Sequence, residues 1–514
     1  MKCGEEKPDC ARCLKFGVEC DGYGPIPNDL KKTASARAGR DLLPRMTRHS
    51  TTSPNMLVPV SVSPVKNEKE HRYFDLFCAR TGYEIMPSHD SGSIRQMLLQ
   101  ACYSDSSIKH AIVCLGALDK TAETTLEFSK LSLDNAAKST RANEHHRFAL
   151  EEYTKAVTSM RTRGPMRDVR STLLSVLLIF CFETWNGNME MAVRQVHTGV
   201  RILQEWKSAF KDADMALEGK SPAPHIVEDD LITIFCRFVV QLSFLAATQT
   251  QPLRELYVTS RSRDFLNSMP KSFTEVLVAQ RYHQAINRRI TLLFAPFLAN
   301  PPSPDSKLAA TYHPETKFTA ERARHWIQAF EPLYKTFAAG YDTYEGRLVR
   351  TSKIQIMVIW IVVFNFFEEQ TKFDEFNEQF AEIINIAEEA IAMQPVLGKR
   401  NPTNYSIGGR AISTLWITGI RCRDKLIRRK ALALLLKYPR REGVWDSLFS
   451  AKMIEFMMEL EEQYLEGDYI PGWARISALR WETDLEKRTA ALSFEQRISP
   501  SSDEVVIRTK TINW

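Results

Sequence analysis

Residues 169–206 read VRSTLLSVLLIFCFETWNGNMEMAVRQVHTGVRILQEW, and this stretch determines the predicted fold class. A helical pattern from Val169 to Trp185 is followed by a second one from Met189 to Trp206. The intervening Asn186-Gly187-Asn188 favours a left-handed turn, because asparagine and glycine adopt positive φ at low cost. The buried stripe of the second helix is marked by Val193, Val196, Val200 and Leu203. The sequence therefore predicts an antiparallel helical hairpin.

Helical periodicity extends outward from this hairpin over residues 71–470. Upstream, apolar residues recur at helical spacing in residues 71–80 and 94–103, and Ser104-Asp105 is a cap signal for a helix through residues 108–118. A tetratricopeptide-like array would need a sustained period of about 34 residues, which the sequence lacks. We therefore predict a mainly α protein, with a large all-helical domain of packed α-hairpins over residues 71–470.

The two most apolar runs, residues 173–182 and 354–367, are predicted to be buried core helices. Both are shorter than the roughly 18–20 residues that a bilayer-spanning helix requires. The N-terminus has no apolar signal core after its charged residues. We therefore expect no membrane anchor and no export.

A cluster of cysteines occupies the first twenty residues, whereas the other six cysteines are scattered singly. The spacing is C-x6-C-x2-C-x6-C, and basic residues are interleaved with the thiols. This pattern is typical of a zinc knuckle that approaches an anion. The candidate metal ligands are Cys3, Cys10, Cys13 and Cys20, and the candidate contacts to the anion are Lys2, Lys7, Arg12 and Lys15.

Two other interpretations of the cluster stay open. A disulfide framework would require an exported protein, and free thiols could cluster by chance. The six scattered cysteines, including Cys181 within the apolar run, are predicted to be small, inert core residues.

The segment from Met1 to Tyr23 resembles the second half of the motif of fungal binuclear zinc-cluster transcription factors. Downstream, the hairpin and the segments YFDLFCARTG (73–82), LLQACYSDSSIKHAIVCLGAL (98–118) and HRFALEEYTKAV (146–157) are similar to the fungal-specific transcription factor regulatory domain. These downstream segments are packing motifs, so they support the architecture rather than a chemical site.

The resemblance implies zinc as the cofactor and DNA as a partner. It implies that Cys10, Cys13 and Cys20 hold one metal ion and that Cys3 and Cys10 belong to a second. It also implies that Lys2 is the lysine beside the third cysteine of the family, where the recognition helix meets base edges in the major groove, commonly at CGG-type half-sites. The family has six cysteines and this chain begins at Met1, so we expect an N-terminally incomplete cluster, through a gene model that starts at an internal methionine or through a true loss. Alternatively, the four thiolates rearrange into a single site.

Two further segments flank the helical domain. Residues 23–70 are predicted to be a disordered basic linker, because residues 44–64 alone hold eleven Pro, Ser or Thr. The linker's basic residues could follow a phosphate backbone, serve in nuclear import or simply be solvated. Residues 471–514 show partial alternation, including Val505, Ile507, Thr509 and Thr511 on one face, which predicts a small antiparallel β-meander packed on the helical body.

Composition and motifs argue against an enzyme. The 514 residues are 44% hydrophobic and 25% charged, with a net charge of +6 from 68 basic and 62 acidic residues that mostly interleave. Glu228-Asp229-Asp230 is the nearest match to a magnesium-binding array of a terpenoid synthase, but apolar residues at 232 and 234 leave the array incomplete. We interpret it as the acidic first turn of a helix.

Together these features predict a nuclear transcription regulator with an incomplete zinc-dependent DNA-binding module at residues 1–22. Co-regulators or the transcription machinery are the expected protein partners. Because residues 21–70 lack heptads, we expect monomeric binding or a homodimer through the helical body rather than a coiled-coil dimer. The alternative is a nuclear regulator or interaction scaffold that does not bind DNA.

Overall fold

The computed structural model describes twelve stretches of the chain, all within one unit, Ser63–Trp514. They are residues 64–65, 67–86, 91–131, 135–163, 168–210, 221–243, 261–294, 307–340, 343–392, 405–408, 411–484 and 489–514. The cysteine cluster and nearly all of the predicted linker, up to residue 63, lie outside these stretches.

The helical body begins with α1, Glu68–Leu76. The side-chain oxygen of Asn67 caps α1 by accepting a hydrogen bond from the amide of Glu70 at 2.8 Å. A π-helical turn, Phe77–Thr81, leads into the short α2, Gly82–Ile85. The body continues with α3 (Ser91–Ser104), α4 (Ser106–Leu131) and α5 (Asn135–Arg163).

Helix α4 starts where the sequence signal places it and packs closely on α1. The carboxylate of Asp105 accepts a hydrogen bond from the amide of Ser107 at 2.8 Å, which confirms the predicted cap. A Cβ atom at Gly116 would lie 2.1 Å from the carbonyl oxygen of Tyr73, so only glycine permits this approach of the two backbones.

The predicted hairpin is confirmed as α6 (Val169–Asn186) and α7 (Met189–Ser208). Gly187 has a φ of 84° and lies in the left-handed region. Its neighbour Asn188 caps α7 by accepting a hydrogen bond from the amide of Met191. Local turn chemistry and the apolar stripe therefore agree at this point of the chain.

The remaining helices complete the body. They are α8 (Asp229–Ser243), α9 (Arg261–Asn267), α10 (Val276–Phe294), α11 (Lys307–Ala338), α12 (Tyr344–Phe364), α13 (Asn377–Ala392), α14 (Ile412–Arg421), α15 (Lys425–Lys437) and α16 (Ser447–Glu461). None of the described helices is long and apolar enough to cross a membrane.

A small sheet that the sequence did not predict ties distant segments together. Its strands are β1 (Tyr405–Ser406), β2 (Arg441–Glu442) and β3 (Trp445–Asp446). Strand β2 pairs parallel with β1 and antiparallel with β3. Strands of two residues carry no alternation pattern, so the sequence offered no signal for them.

The C-terminal meander is confirmed as β4 (Leu479–Asp484), β5 (Thr489–Arg497) and β6 (Val505–Asn513), antiparallel in the order β4-β5-β6. It packs on α16, where the rings of Phe456 and Phe494 lie 5.0 Å apart. On β6, the face that bears Val505 and Ile507 is exposed, and Ile512 on the other face is buried.

Two apolar cores lie within the described residues. The first core spans α1–α8, α12–α16 and the meander. The second core is formed by α9–α12 around Trp326, whose indole nitrogen donates to the carbonyl of Ala279 at 2.8 Å. Ile327, Tyr334 and Trp360 pack against both cores, so α11 and α12 join them.

Candidate functional site

The residues predicted to bind zinc and DNA all lie outside the described part of the chain. These are Cys3, Cys10, Cys13 and Cys20, with Lys2, Lys7, Arg12 and Lys15. Their roles therefore remain predictions. Within the described stretches, no group of three or more His, Cys, Asp or Glu side chains is placed to hold a metal ion.

The six cysteines downstream of the cluster are free thiols, as expected of core residues. Cys78 is partly buried, and the other five are buried (Cys102, Cys114, Cys181, Cys236 and Cys422). Burial raises the pKa of Cys78 to about 11 and that of Cys181 to about 12. A thiol with such a raised pKa is a weak nucleophile at neutral pH.

The acidic triplet at the start of α8 engages three separate partners. Glu228 accepts a hydrogen bond from Arg170 at 2.6 Å, and Asp229 accepts one from the amide of Ser221 at 2.6 Å. Asp230 accepts a hydrogen bond from the hydroxyl of Ser93. The three carboxylates therefore connect the start of α8 to Arg170, Ser221 and Ser93, which agrees with the predicted acidic first turn.

A buried polar contact joins the π-helical turn to α4. Arg80 donates from Nε to Asp119 Oδ2 at 2.9 Å and from Nη1 to Glu123 Oε1 at 2.8 Å, while the hydroxyl of Thr81 donates to Asp119 at 2.6 Å. Burial acts to lower the pKa of Arg80, but the charge of Asp119 outweighs it and the pKa is raised. The π-helical geometry thus aims two consecutive side chains at one carboxylate.

The loop end of the hairpin is held by an arginine from the small sheet. Arg441 donates from Nη1 to the carbonyls of Thr184 and Trp185 at 3.2 and 3.0 Å, and from Nε to Asp446 at 2.8 Å. A cation at the C-terminus of a helix interacts favourably with its unpaired carbonyls. Nearby, the hydroxyl of Tyr405 is hydrogen bonded to that of Thr184 at 2.6 Å.

A second group of buried charges is the Glu461 cluster, which consists of Arg423, Arg428 and Glu461. The carboxylate of Glu461 lies 2.6 Å from Arg423 Nη2 and 2.7 Å from Arg428 Nη1, and it accepts a hydrogen bond from the amide of Ile476 at 2.9 Å. Burial alone would raise the pKa of Glu461, but the two arginines outweigh it and hold the pKa at about 2. The cluster connects α15 and α16 to the segment that leads into the meander.

Sequence reasoning missed these buried charges because each pair joins residues far apart in the chain. Arg80 and Asp119 are 39 residues apart, and Arg423 and Glu461 are 38 apart. The one local signal was a charged residue at an otherwise apolar helical position, such as Asp119 at the end of the pattern through residues 108–118. These contacts connect helices that are distant from one another in the chain.

Residues 72–203, from α1 to α7, match the family model described as the fungal specific transcription factor domain. This match agrees with the resemblance noted in the sequence. No solved structure matches the chain.

The chain is also similar to two transcription regulators. It is 28% identical over 215 residues to the aspercryptin biosynthesis cluster-specific transcription regulator atnN of Emericella nidulans, over 40% of this chain and 33% of that protein. It is 22% identical over 247 residues to the transcription regulator lscL of Purpureocillium lilacinum, over 46% of this chain and 56% of that protein. The matches thus span between a third and somewhat over half of these relatives. They favour a transcription regulator over an enzyme.

Proposed function

We propose that this protein is a nuclear transcription regulator that binds DNA through zinc held by the N-terminal cysteines. The observation that carries the proposal is the fungal specific transcription factor domain at residues 72–203, downstream of a C-x6-C-x2-C-x6-C cluster in the same chain. Four thiolates with a central C-x2-C pair are a donor set that suits zinc.

Zinc would supply the folding energy of a module too small to have a core of its own. In that module Lys2, Lys7, Arg12 and Lys15 would face the DNA. Lysine and arginine contacts to phosphate set position, and contacts to base edges in the major groove discriminate sequence. The basic residues of the linker add affinity that carries no sequence information and falls steeply with salt.

The helical body would act as the regulatory domain, and it would provide the surface for co-regulators or for a homodimer. Support for this division comes from the buried charge contacts, which connect its helices and the meander into one body. None of the described contacts places an activated nucleophile or a metal-binding group in that body.

A zinc-binding measurement tests the metal part of the proposal. We expect up to about one zinc ion per chain, because a thiolate site contributes folding energy only when its coordination shell is complete. Cys13→Ala should abolish the binding because it removes half of the C-x2-C pair. Cys78→Ser is the matched control, since it changes a cysteine of the helical body, and it should retain the zinc. Equal zinc content in the two variants would refute the assignment.

A mobility-shift experiment over a salt series tests the DNA part. The 514-residue chain should bind random and CGG-containing duplexes equally, and it should release both as the salt concentration increases. A chain that carries the complete six-cysteine motif should instead prefer CGG sites at physiological salt. Absence of any preference in the complete form would favour the scaffold alternative.

A further inference from the structure

Three arginines surround one phenylalanine ring at the edge of the second core. The guanidinium carbons of Arg263, Arg289 and Arg322 lie 4.5, 5.0 and 5.7 Å from the centroid of Phe318. Arg263 is on α9, Arg289 is on α10, and Phe318 and Arg322 are on α11. Three helices thus bring their positive charges together around a single ring.

The three arginines of this group differ in their contacts with acidic side chains. Among the described contacts, one carboxylate serves it, that of Glu315, which lies 3.2 Å from Arg263 Nη1 and also pairs with Arg289. Arg289 Nε donates to the hydroxyl of Thr319 at 3.1 Å. Arg322 thus has no acidic partner among the described residues, whereas Arg263 and Arg289 both contact Glu315. We call Arg263, Arg289, Glu315, Phe318 and Arg322 the Phe318 cluster.

Burial makes a guanidinium charge without enough acidic partners energetically unfavourable at this position. The side chain of Arg289 is only 9% exposed. Burial, and secondly the charge of Arg263, lower the pKa of Arg289 to about 10 although Glu315 contacts it. The Nε atom of Arg322 is buried and has no hydrogen-bond partner among the described residues. A further anion at this position would relieve the repulsion and satisfy a buried donor.

The cluster is also accessible. The side chain of Arg263 is 44% exposed and that of Glu315 is 27% exposed, so the rim of the cluster faces solvent. Guanidinium groups present planar pairs of donors that match the oxygens of phosphate and carboxylate groups.

We propose that the Phe318 cluster binds a small anion that carries a phosphate or carboxylate group. The anion pairs with Arg263 and Arg322 at the rim, and Phe318 holds the guanidinium planes in position from behind. Glu315 occupies part of the site in the absence of the ligand and competes with it. This inference is independent of DNA binding, because it concerns the helical body alone.

Thermal unfolding of the full chain tests the site, with phosphate and citrate as separate probes and sodium chloride at matched ionic strength as the reference. A saturable rise in the unfolding temperature is expected with at least one probe, because a ligand that binds the folded state stabilises it. The probe with the larger effect identifies the preferred group.

Four variants locate the binding. Arg263→Gln and Arg322→Gln should each weaken the affinity by about ten-fold or more, since each removes a charged donor. Arg324→Gln is the matched control, because Arg324 is an exposed arginine on the same helix, and it should leave the affinity unchanged. Glu315→Gln should strengthen binding because it removes the internal competitor.

A purely structural role gives the opposite pattern. The proposal is overturned if neither probe raises the unfolding temperature beyond chloride, or if the rise is the same in Arg263→Gln, Arg322→Gln and Arg324→Gln. It is also overturned if Glu315→Gln weakens the response. Arg263 is nearly half exposed, so its variant should fold and keep the test decisive.

Discussion

The Glu461 cluster and the Phe318 cluster use the same side chains in opposite ways. Glu461 is completely buried, and its arginines are 3% and 1% exposed. In the Phe318 cluster, Arg263 and Arg289 share Glu315, which is 27% exposed. Two carboxylates with similar partners thus differ mainly in their access to water.

The difference shows how burial decides between a structural connection and a binding site. Glu461 receives two arginines and the amide of Ile476, and Arg428 also donates to the carbonyl of Gly419 at 2.8 Å. Each of the three side chains is at most 3% exposed, so water cannot take the place of a lost partner. Glu315 can be replaced by an external anion because the rim of its cluster is hydrated.

Removal of the Glu461 charge should produce the largest effect. Glu461→Gln leaves two buried guanidiniums without a counter-charge, and it should lower the free energy of unfolding by about 3–5 kcal/mol. Denaturant unfolding at pH 7 measures the loss. The matched control is Glu462→Gln, whose partner Arg429 is 41% exposed, and it should cost less than about 1 kcal/mol.

The difference in stability between the wild type and Glu461→Gln should depend on pH. The folded-state pKa of Glu461 is about 2, below its ordinary value of 4.5. Its stabilisation is therefore complete above pH 4.5 and is lost as the pH falls towards 2. The stabilities of the wild type and Glu461→Gln should approach each other over that interval, and a constant difference would contradict the assignment.

The second core contains a buried polar group of another kind. His283 is 3% exposed, and neither of its ring nitrogens has a hydrogen-bond partner among the described residues. Burial, and then the charge of Arg237, lower the pKa of His283 from 6.5 to about 3. The unfolded chain therefore takes up a proton below pH 6.5 that the folded protein does not.

Acid should consequently destabilise the protein through His283. Between pH 6.5 and about 3 the stability falls with pH, and at pH 5 the loss is about 2 kcal/mol, at 1.36 kcal/mol per pH unit. His283→Leu should lack this part of the loss when unfolding is compared at pH 8 and pH 5. The control His225→Leu replaces an exposed histidine and should retain it. The same pH dependence in both variants would argue against a role of His283.

Arg441 is a charged residue whose partners include backbone carbonyls at the hairpin loop, and the loop glycine Gly187 lies against it. Gly187→Ala should cost about 1–2 kcal/mol, since alanine is strained at a φ of 84° and its Cβ would lie 2.6 Å from Arg441 Nη1. Gly467→Ala is the matched control, with a φ of 66° and no atom within 4 Å of the new Cβ. Denaturant unfolding of both variants separates the two causes, and an equal cost would show that the Arg441 contact adds nothing.

The smallest effect on stability is expected at Glu315. Glu315→Gln should change the free energy of unfolding by about 1 kcal/mol or less, because Glu315 is 27% exposed and solvent screens its charge, although its second partner Arg289 is only 9% exposed. A loss as large as that of Glu461→Gln would mean that the two clusters do not differ as their burial indicates.

The sequence by itself determined the elements whose signals are local. The Asn-Gly-Asn turn and the stripe on α7 specified the hairpin, Ser104-Asp105 marked the start of α4, and alternation after Pro471 predicted the meander. These signals lie within a few residues of one another, so they survive without knowledge of the fold. The cysteine spacing likewise led to the zinc hypothesis, whose residues lie outside the described part of the chain.

Only the tertiary structure decided which charges are buried and what they contact. Glu461 and Glu462 are neighbours in the sequence, yet one is sealed among arginines and the other reaches solvent. The local sequence does not distinguish Arg263, Arg289 and Arg322 from ordinary solvated residues. Only the packing of three helices brings them to Phe318. On β6, the alternation predicted a strand, and the packing of the sheet on α16 selected which face is buried. The reason is physical: a charge's environment depends on elements distant in the chain, whereas helix and strand formation depend largely on neighbouring residues.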